Sequence, residues 1–284
     1  MNGIGDNLYT RPIIKIMAQE HELFLRTPWP EIYSDLNVKF VEMTTTWRTQ
    51  AKNLLSSNVQ YDEPIGIEKT INLFYSTPQF MANGITAAIE HLCGYDELSL
   101  PLSWDLPHET QSTRLNLPER PLAVIRPNSL RKEWMVPARN CDPQYLRTAA
   151  CMLKDAGYYT ISIGDYEDDV EWIEEPKPYA DMTFHKGELN LSQLMTLFKQ
   201  ADVVVGSHGF VSSLSLSAHT PVITIWGGRG LYDSPETIYD KRMNHELLID
   251  IIPDNFCKCK QRLHKCDKFI ANFEQRFTEA LGKL

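Results

Sequence analysis

The chain has 284 residues, of which 43% are hydrophobic and 23% charged, and its formal net charge is −9. These fractions are typical of a soluble globular protein, and the length fits two domains of common size. The negative charge argues against broad binding to nucleic acid or anionic lipid. No window holds the roughly 18 uninterrupted apolar residues of a membrane span, and the first residues show no secretory signal. We therefore expect a cytoplasmic protein without a membrane span.

The N-terminal third alternates short extended runs with helical stretches. Strands are predicted over residues 22–26 and 38–41, whereas residues 44–104 hold amphipathic stretches whose order is not evident. Strands that alternate with helices are typical of a parallel sheet in an α/β fold. A polar segment over residues 105–121 predicts a linker to a second α/β unit.

The second unit has clearer signals. Buried strands are predicted at three apolar runs: 122–125, 203–205 and 222–225. Asp142 before Pro143 predicts one helix start, and Asn190 with Gln193 three residues later predicts another. Further helices are predicted over residues 211–219 and about 267–282. The strand–helix–strand order around residues 203–225 predicts a right-handed parallel unit.

The turn between the second buried strand and its helix has the sequence Gly206-Ser207-His208-Gly209. Glycines allow a close backbone approach, and the free N–H groups of a helix start favour an anion. Ser212 and Ser213 add hydroxyl donors in the first helical turn. An ordinary strand-to-helix turn with capping serines would show the same residue types. His208 is a candidate for phosphate binding or acid–base chemistry, with capping or packing as the alternative.

Two other loops are expected at the same edge of the sheet. Gly227-Gly228-Arg229-Gly230 follows the third apolar run, and residues 126–132 follow the first. Ligands of open parallel sheets bind beyond the carboxyl ends of the strands, and arginine pairs well with phosphate. The three loops together therefore predict a diphosphate site. Its remaining candidate donor-binding residues are Asn128, Ser129, Arg131, Lys132 and Arg229.

Several segments resemble the lipopolysaccharide heptosyltransferase family (glycosyltransferase family 9). The likeness is carried by residues 187–189, by Ala201-Asp202-Val203-Val204-Val205-Gly206, and by Thr220-Pro221-Val222-Ile223-Thr224-Ile225-Trp226-Gly227. Gly5-Asp6, followed by an apolar helix that contains Pro12, is similar to the N-terminal motif of that family. The resemblance implies a GT-B-like fold, in which two Rossmann-like α/β domains face each other across a cleft. It also implies that Asp6 is the general base, where the residues alone favour a helix cap.

The chain departs from the family pattern at three places. His208-Gly209-Phe210 stands where the family usually has Asp-(Ser/Thr)-Gly, and Ser213 stands where it has a histidine. The donor contacts are therefore expected to differ from those to ADP-heptose. The sequence before Gly5-Asp6 also leaves no room for the strand that precedes this motif in the family.

The resemblance implies an inverting glycosyltransferase, whether hexosyl-, heptosyl- or pentosyltransferase. No acidic metal-binding dyad stands out in the sequence, so we expect catalysis without a metal cofactor. Residues 1–118 would form the acceptor-side domain and residues 119–266 the nucleotide-sugar domain, with a helix at 267–284 crossing back to the first. The expected partners are a nucleotide-diphosphate sugar and a glycan or lipopolysaccharide-type acceptor. The alternatives are a phage-type transferase for hydroxymethylated bases in DNA, a nucleotide-sugar epimerase, and a non-catalytic sugar-nucleotide-binding protein.

Two charged runs and a cysteine cluster remain. An acidic run over residues 165–175 predicts a solvated loop, and a basic run covers residues 258–268. Four potential soft ligands for zinc lie within the second run or directly before it: Cys257, Cys259, His264 and Cys266. Their spacing is tighter than that of the usual Cys-x2-Cys pairs, so reduced, packed thiols are favoured over a zinc site. The oligomeric state is not indicated.

Overall fold

The structure, a computed structural model, describes residues 3–108 and 115–284. In these ranges the helices are α1 (Ile4–Glu20), α2 (Arg48–Ser56), α3 (Thr77–Cys93), α4 (Pro143–Asp155), α5 (Leu191–Gln200), α6 (Phe210–Ser217), α7 (Pro235–Ile238) and α8 (Phe273–Leu281). The strands are β1 (Leu23–Leu25), β2 (Val38–Phe40), β3 (Leu122–Arg126), β4 (Ser129–Arg131), β5 (Tyr159–Ile163), β6 (Glu171–Ile173), β7 (Met182–Phe184), β8 (Val203–Ser207), β9 (Val222–Ile225) and β10 (Leu248–Ile251). Part of the linker predicted over residues 105–121 lies outside the described residues.

A parallel sheet of six strands, in the order β10-β9-β8-β3-β5-β7, forms the centre of the C-terminal half. The three apolar runs predicted as buried strands are β3, β8 and β9, and these lie side by side. Helices cover both faces of such a sheet, so its central strands are apolar on both sides. Val203, Val204 and Val205 are accordingly all buried.

The helix starts predicted in this half are also present. The Asp142 side chain accepts a hydrogen bond from the Gln144 amide at the start of α4. Asn190 and Gln193 form a reciprocal capping box at the start of α5. These caps satisfy amides that have no partner within the helix, and so they fix where each helix begins.

The N-terminal part carries a small sheet in which β1 and β2 pair in parallel, with Leu23 opposite Val38. These strands match the two predicted over residues 22–26 and 38–41. The long helices α1 and α3 pack against each other and against α6 and α7 of the C-terminal half. One apolar cluster therefore contains Leu8 and Ile13 of α1 together with Leu214 and Val222.

The last helix is predicted to cross back to the N-terminal domain, but in the structure it packs against the C-terminal half. Phe273 and Phe277 of α8 are buried beside Leu146 of α4 and Ile251 of β10. The aromatic face of α8 completes the cover of the C-terminal sheet, where it has an apolar surface to bury. No helix among the described residues combines the length and the apolarity that crossing a bilayer requires.

The acidic run is not simply a solvated loop. Arg48 on α2 forms ion pairs with Asp165, Glu167 and Glu171, with N–O distances of 3.2 to 3.4 Å. Lys52, one turn further along α2, pairs with Asp165 at 2.9 Å. Part of the acidic run therefore ties α2 to the C-terminal half of the chain.

Candidate active site

The candidate site lies where the strand order of the large sheet reverses. From β3 the chain first builds β5 and β7 on one side, and then returns to build β8, β9 and β10 on the other. The connections that leave β3 and β8 therefore part in opposite directions and open a crevice at their carboxyl ends. Ligands of open α/β sheets bind in this crevice. The Ser207-His208-Gly209 turn lies there, directly before α6.

His208 is held in a fixed orientation beside the start of α6. Its ring stacks on Trp226 with a centroid distance of 4.6 Å and an interplanar angle of 5°. Trp226 is fixed in turn because its Nε1 donates to Oδ1 of Asp250 at 2.6 Å. His208 is 8% exposed, and its Nδ1 has no hydrogen-bond partner among the described residues.

Two arginines, Arg139 and Arg229, add positive charge around His208. Burial first, and then the charges of these arginines, hold the pKa of His208 well below its ordinary value, so the ring is neutral. The Nε atoms of both arginines are buried without a partner in the described part of the chain. Buried polar nitrogens without partners are costly. Three such nitrogens from three loops therefore mark a place that is suited to binding an acceptor-rich anion.

Glycines after β9 allow two backbone segments to pass very close to each other. A Cβ atom on Gly227 would lie 2.2 Å from the carbonyl oxygen of Asn140 and 2.5 Å from that of Arg139. The Gly228 amide donates to the Ala138 carbonyl at 2.8 Å. Because these residues lack side chains, Arg139 lies next to the loop that carries Arg229.

Asp6 is brought to the same place by the packing of α1 against α6. A Cβ atom on Gly5 would lie 3.5 Å from Oγ of Ser213 and 3.6 Å from Cα of Phe210. Asp6 is the third residue of α1, and its Oδ2 accepts from the Gly3 amide at 3.1 Å. The carboxylate is half-buried, and it stands beside the start of the helix that follows the predicted turn.

Tyr75 holds the other oxygen of this carboxylate. Its hydroxyl donates to Oδ1 of Asp6 at 2.8 Å. Burial, followed by the charge of Asp6, raises the pKa of Tyr75, so the hydroxyl keeps its proton and remains a donor. The orientation of the Asp6 carboxylate is therefore set from two sides.

Four predicted donor-binding residues have side chains that are satisfied inside the fold. The Asn128 amide donates to the Cys141 carbonyl at 2.8 Å and accepts from the Ser207 hydroxyl at 2.6 Å. Ser212 shares a hydrogen bond with Thr224, and Ser213 donates to the Phe210 carbonyl. The predicted role of the two α6 serines as donor ligands therefore finds no support, because both hydroxyls are buried and bonded within the protein.

Three other candidates lie further along the first loop. Ser129 donates to Oε1 of Glu171 at 2.9 Å, and the Arg131 guanidinium lies 5.7 Å from the centre of the Trp47 ring. Lys132 is exposed. Ser129 and Arg131 lie on β4, which pairs antiparallel with β6, and the positive charges that act on His208 are those of Arg139 and Arg229. Of the predicted cations, Arg229 is therefore the one that lies beside His208.

Sequence reasoning missed Arg139 and Tyr75. A cation just before the Asp142-Pro143 helix start was the available signal for Arg139, but nothing local indicated which way its side chain turns. Tyr75 lies 69 positions from its partner Asp6, and no motif connects the two residues.

The four predicted soft ligands, Cys257, Cys259, His264 and Cys266, come together in a surface segment and are called the Cys–His cluster below. Their ligand atoms all lie within 4.8 Å of one another. The Sγ atoms of Cys259 and Cys266 are 3.6 Å apart, and Nδ1 of His264 lies 3.5 Å from Cys257 Sγ and 3.4 Å from Cys266 Sγ. A tetrahedral ion bound by sulfur at ~2.3 Å and nitrogen at ~2.0 Å separates its ligands by about 3.5–3.8 Å. The cluster therefore fits such an ion, and its half-buried cysteines are not packed into the core.

Several solved structures with a similar fold are glycosyltransferases. TibC from enterotoxigenic E. coli, described as an iron-containing dodecameric glycosyltransferase, has a TM-score of 0.63 at 14% identity, over 99% of this chain and 73% of TibC. A family 9 glycosyl transferase from Veillonella parvula has a TM-score of 0.62 at 14% identity, over 99% and 94% of the two chains. The E. coli ADP-heptose LPS heptosyltransferase II has a TM-score of 0.54 at 13% identity, over 99% and 96%.

No protein-family model matches the chain, and no curated protein matches it in sequence. The resemblance to heptosyltransferases is therefore confirmed as a likeness of fold. The chain has the GT-B-like α/β fold of these glycosyltransferases.

Proposed function

We propose that the chain is a glycosyltransferase that moves a sugar from a nucleotide-diphosphate sugar to an acceptor hydroxyl. One observation carries the proposal. The start of α6 gathers three buried nitrogens without partners, from His208, Arg139 and Arg229, beside the oriented carboxylate of Asp6. An anion site next to a carboxylate base is what transfer from a diphosphate leaving group requires.

The diphosphate would bind at the start of α6. The first amides of a helix have no intrahelical partner and carry partial positive charge. The two arginines would add charge-assisted hydrogen bonds to phosphate oxygens through Nε and its neighbouring nitrogens. TibC has been solved in complex with ADP-D-beta-D-heptose, so ADP-sugars are the first donors to test.

In the transfer step, Asp6 would accept the proton of the acceptor hydroxyl while that oxygen attacks the anomeric carbon. The bond between this carbon and the diphosphate oxygen breaks on the opposite face, so the configuration inverts. The leaving diphosphate takes the bonding electron pair, and its added charge is met by the α6 amides and by guanidinium groups. Tyr75 would orient the base. Residues 1–118 would hold the acceptor, and residues 119–266 the donor.

We propose in addition that the Cys–His cluster holds a transition-metal ion, zinc or iron. Three thiolates and one imidazole in a tetrahedron suit either ion. The ion would act as a structural cross-link, and the charge that faces the diphosphate comes from arginines. A bound ion is favoured over packed thiols because the four ligand atoms lie within 4.8 Å of one another, at the surface and outside the core.

The acceptor that we propose is a glycan or lipopolysaccharide-type hydroxyl. The DNA alternative relied on the altered donor turn and on the basic run, in which Lys268 is engaged within the protein and Lys258 is exposed. Lys268 donates to the Pro137 carbonyl at 3.0 Å, and the Lys258 ammonium lies 5.6 Å from the centre of the Phe256 ring. Salt-dependent binding to hydroxymethylated duplex DNA would revive that alternative.

The donor is tested by measuring Tm with ADP-, UDP-, GDP- and CMP-sugars. A donor at 100 times its Kd adds about 2.7 kcal/mol, which for a chain of this size raises Tm by about 4–5 °C. The D6N variant should keep this shift and lose transfer. If none of the sugars raises Tm, the proposal is wrong. Turnover of the donor without an acceptor would indicate an epimerase, and unchanged transfer in D6N would remove Asp6 as the base.

A further inference from the structure

We infer that the ion in the Cys–His cluster positions Arg229 for binding of the diphosphate. The inference rests on the proposed function for the identity of the anion, but the coupling between the cluster and the loop does not. The cluster and the candidate active site share one loop, residues 227–231, whose backbone contacts three of the four proposed ligands.

Two hydrogen bonds run from this loop to the ligand residues themselves. The Gly230 amide donates to the carbonyl of Cys257 at 2.8 Å, and the Leu231 amide donates to the carbonyl of Cys259 at 3.3 Å. Both amides directly follow Arg229 in the chain. Wherever the ion fixes Cys257 and Cys259, it also fixes the backbone that carries the arginine.

The third contact comes from Cys266 on the other side of Arg229. A Cβ atom on Gly228 would lie only 2.2 Å from Cys266 Sγ and 2.3 Å from its Cβ. The thiol therefore rests directly on the Gly228 backbone, and it can do so because residue 228 is a glycine. Arg229 is thus enclosed on both sides by residues that bind the same ion.

The conformation of Arg229 needs this support. Its φ is +62°, in the left-handed region that side-chain-bearing residues rarely adopt, at a cost of roughly 1 kcal/mol or more. In this conformation its guanidinium reaches Asp233, with Nη1 2.7 Å from Oδ2, and leaves Nε unpaired near His208. A relaxed loop would turn the guanidinium away from the start of α6.

Apart from the cluster, the ligand segment is held by separate contacts: the Ala138 amide donates to the Arg262 carbonyl at 3.1 Å, and the Lys268 ammonium donates to the Pro137 carbonyl at 3.0 Å. Residues 252–272, between β10 and α8, form no helix or strand, so regular backbone pairing does not define the path of the cluster. Three cysteines and a histidine at coordination spacing keep that geometry most readily around a cation. The ion therefore makes the ligand segment rigid, and the loop at residues 227–231 is held in place through its contacts with that segment.

The first test measures the ion and the loop without any nucleotide. Elemental analysis of the purified protein should find about one zinc or iron per chain, and the identity of the element decides between the two ions. Removing the ion with a chelator should speed amide hydrogen exchange at Gly230 and Leu231, and adding the metal back should restore protection. An ion-free protein as purified, or exchange that does not respond to removal, overturns the inference.

The second test measures affinity for inorganic pyrophosphate, which probes the diphosphate site without assuming a nucleobase. Chelation and Cys259→Ser should each weaken binding on the order of tenfold, the loss expected for one charge-assisted contact. Arg229→Gln should weaken binding equally and retain the ion. Cys151→Ser, at an exposed cysteine on α4 outside the cluster, is the matched control and should change neither quantity.

These two readouts separate the possible failures. If pyrophosphate and nucleotide sugars do not bind to the ion-loaded protein, the proposed function is wrong, and the role of Arg229 falls with it. If the ion-loaded protein binds pyrophosphate and the chelated protein binds it equally well, the inference alone is wrong. Circular dichroism of chelated protein shows whether loss of affinity reflects general unfolding.

Discussion

Replacing Arg139 by methionine should weaken donor binding and leave the free protein as stable as before, or more stable. The Arg139 guanidinium lies at the start of α6, where Nη2 would be 3.2 Å from a Cβ atom on Gly209. Its Nε is buried without a partner, and its charge acts on His208. In the free protein the unpaired Nε of Arg139 therefore lowers the free energy of unfolding, and a bound diphosphate would supply the missing hydrogen-bond partner.

The expected magnitudes follow from these contacts. One hydrogen bond from a guanidinium to phosphate contributes about 1.5–3 kcal/mol, so Kd for the nucleotide should rise about 10- to 100-fold in R139M. A buried polar group without a partner costs about 1–3 kcal/mol. Methionine keeps the apolar packing of the arginine stem and removes this cost, so the free energy of unfolding should stay constant or rise by about 1 kcal/mol.

Titration calorimetry with the best donor nucleotide and urea unfolding without ligand together test this reasoning. Arg276→Met is the control, because Arg276 pairs with Asp254 at 3.0 Å on the surface beside α8. It should lose up to about 1 kcal/mol of stability and keep the affinity of the wild type. Wild-type affinity in R139M, or a loss of stability larger than that of the control, would refute the account of Arg139.

Two further predictions concern His208 and the glycine loop. Because the folded pKa of His208 lies below its ordinary value of 6.5, the unfolded state takes up the proton first as the pH falls. As the pH falls from 7 to 5, the free energy of unfolding of the wild type should therefore decrease more steeply than that of H208Q. The difference in slope, measured by urea unfolding, should be at most about 1.4 kcal/mol per pH unit. Parallel profiles for the two proteins would contradict this prediction. In the same assay, Gly227→Ala should lower the free energy of unfolding by about 1–3 kcal/mol, because its Cβ would clash with two carbonyl oxygens. Gly206→Ala is the control, and it should change stability little because the nearest atoms lie 3.5 Å from its Cβ.

Much of the C-terminal half could be predicted because its signals are local. The apolar runs of β3, β8 and β9, the Asp142 cap and the Asn190–Gln193 capping box each depend on neighbouring residues only. The order of these elements then places the strand ends together by the rules of parallel sheets. The site at the start of α6 follows from that order.

The rest depends on contacts between distant parts of the chain. Arg48 and Asp165 are 117 positions apart, and nothing near the acidic run indicates that a cation from α2 will cover it. The α6 serines had suitable side chains for a ligand, but the packing of α1 and β9 buries their hydroxyls. In these cases the residue type shows which interactions a side chain can make. Tertiary packing decides which partner the side chain reaches, and that packing cannot be predicted from neighbouring residues.

The core shared by α1 and the C-terminal half also sets an order for folding. Leu8 and Ile13 of α1 find apolar partners in Leu214 and Val222, which lie about 200 positions later in the chain. On the ribosome, α1 must wait until those residues have been synthesised before its buried face is covered, and loops of this length close slowly. Helix α1 therefore reaches its final packing only after the chain as far as β9 has been synthesised.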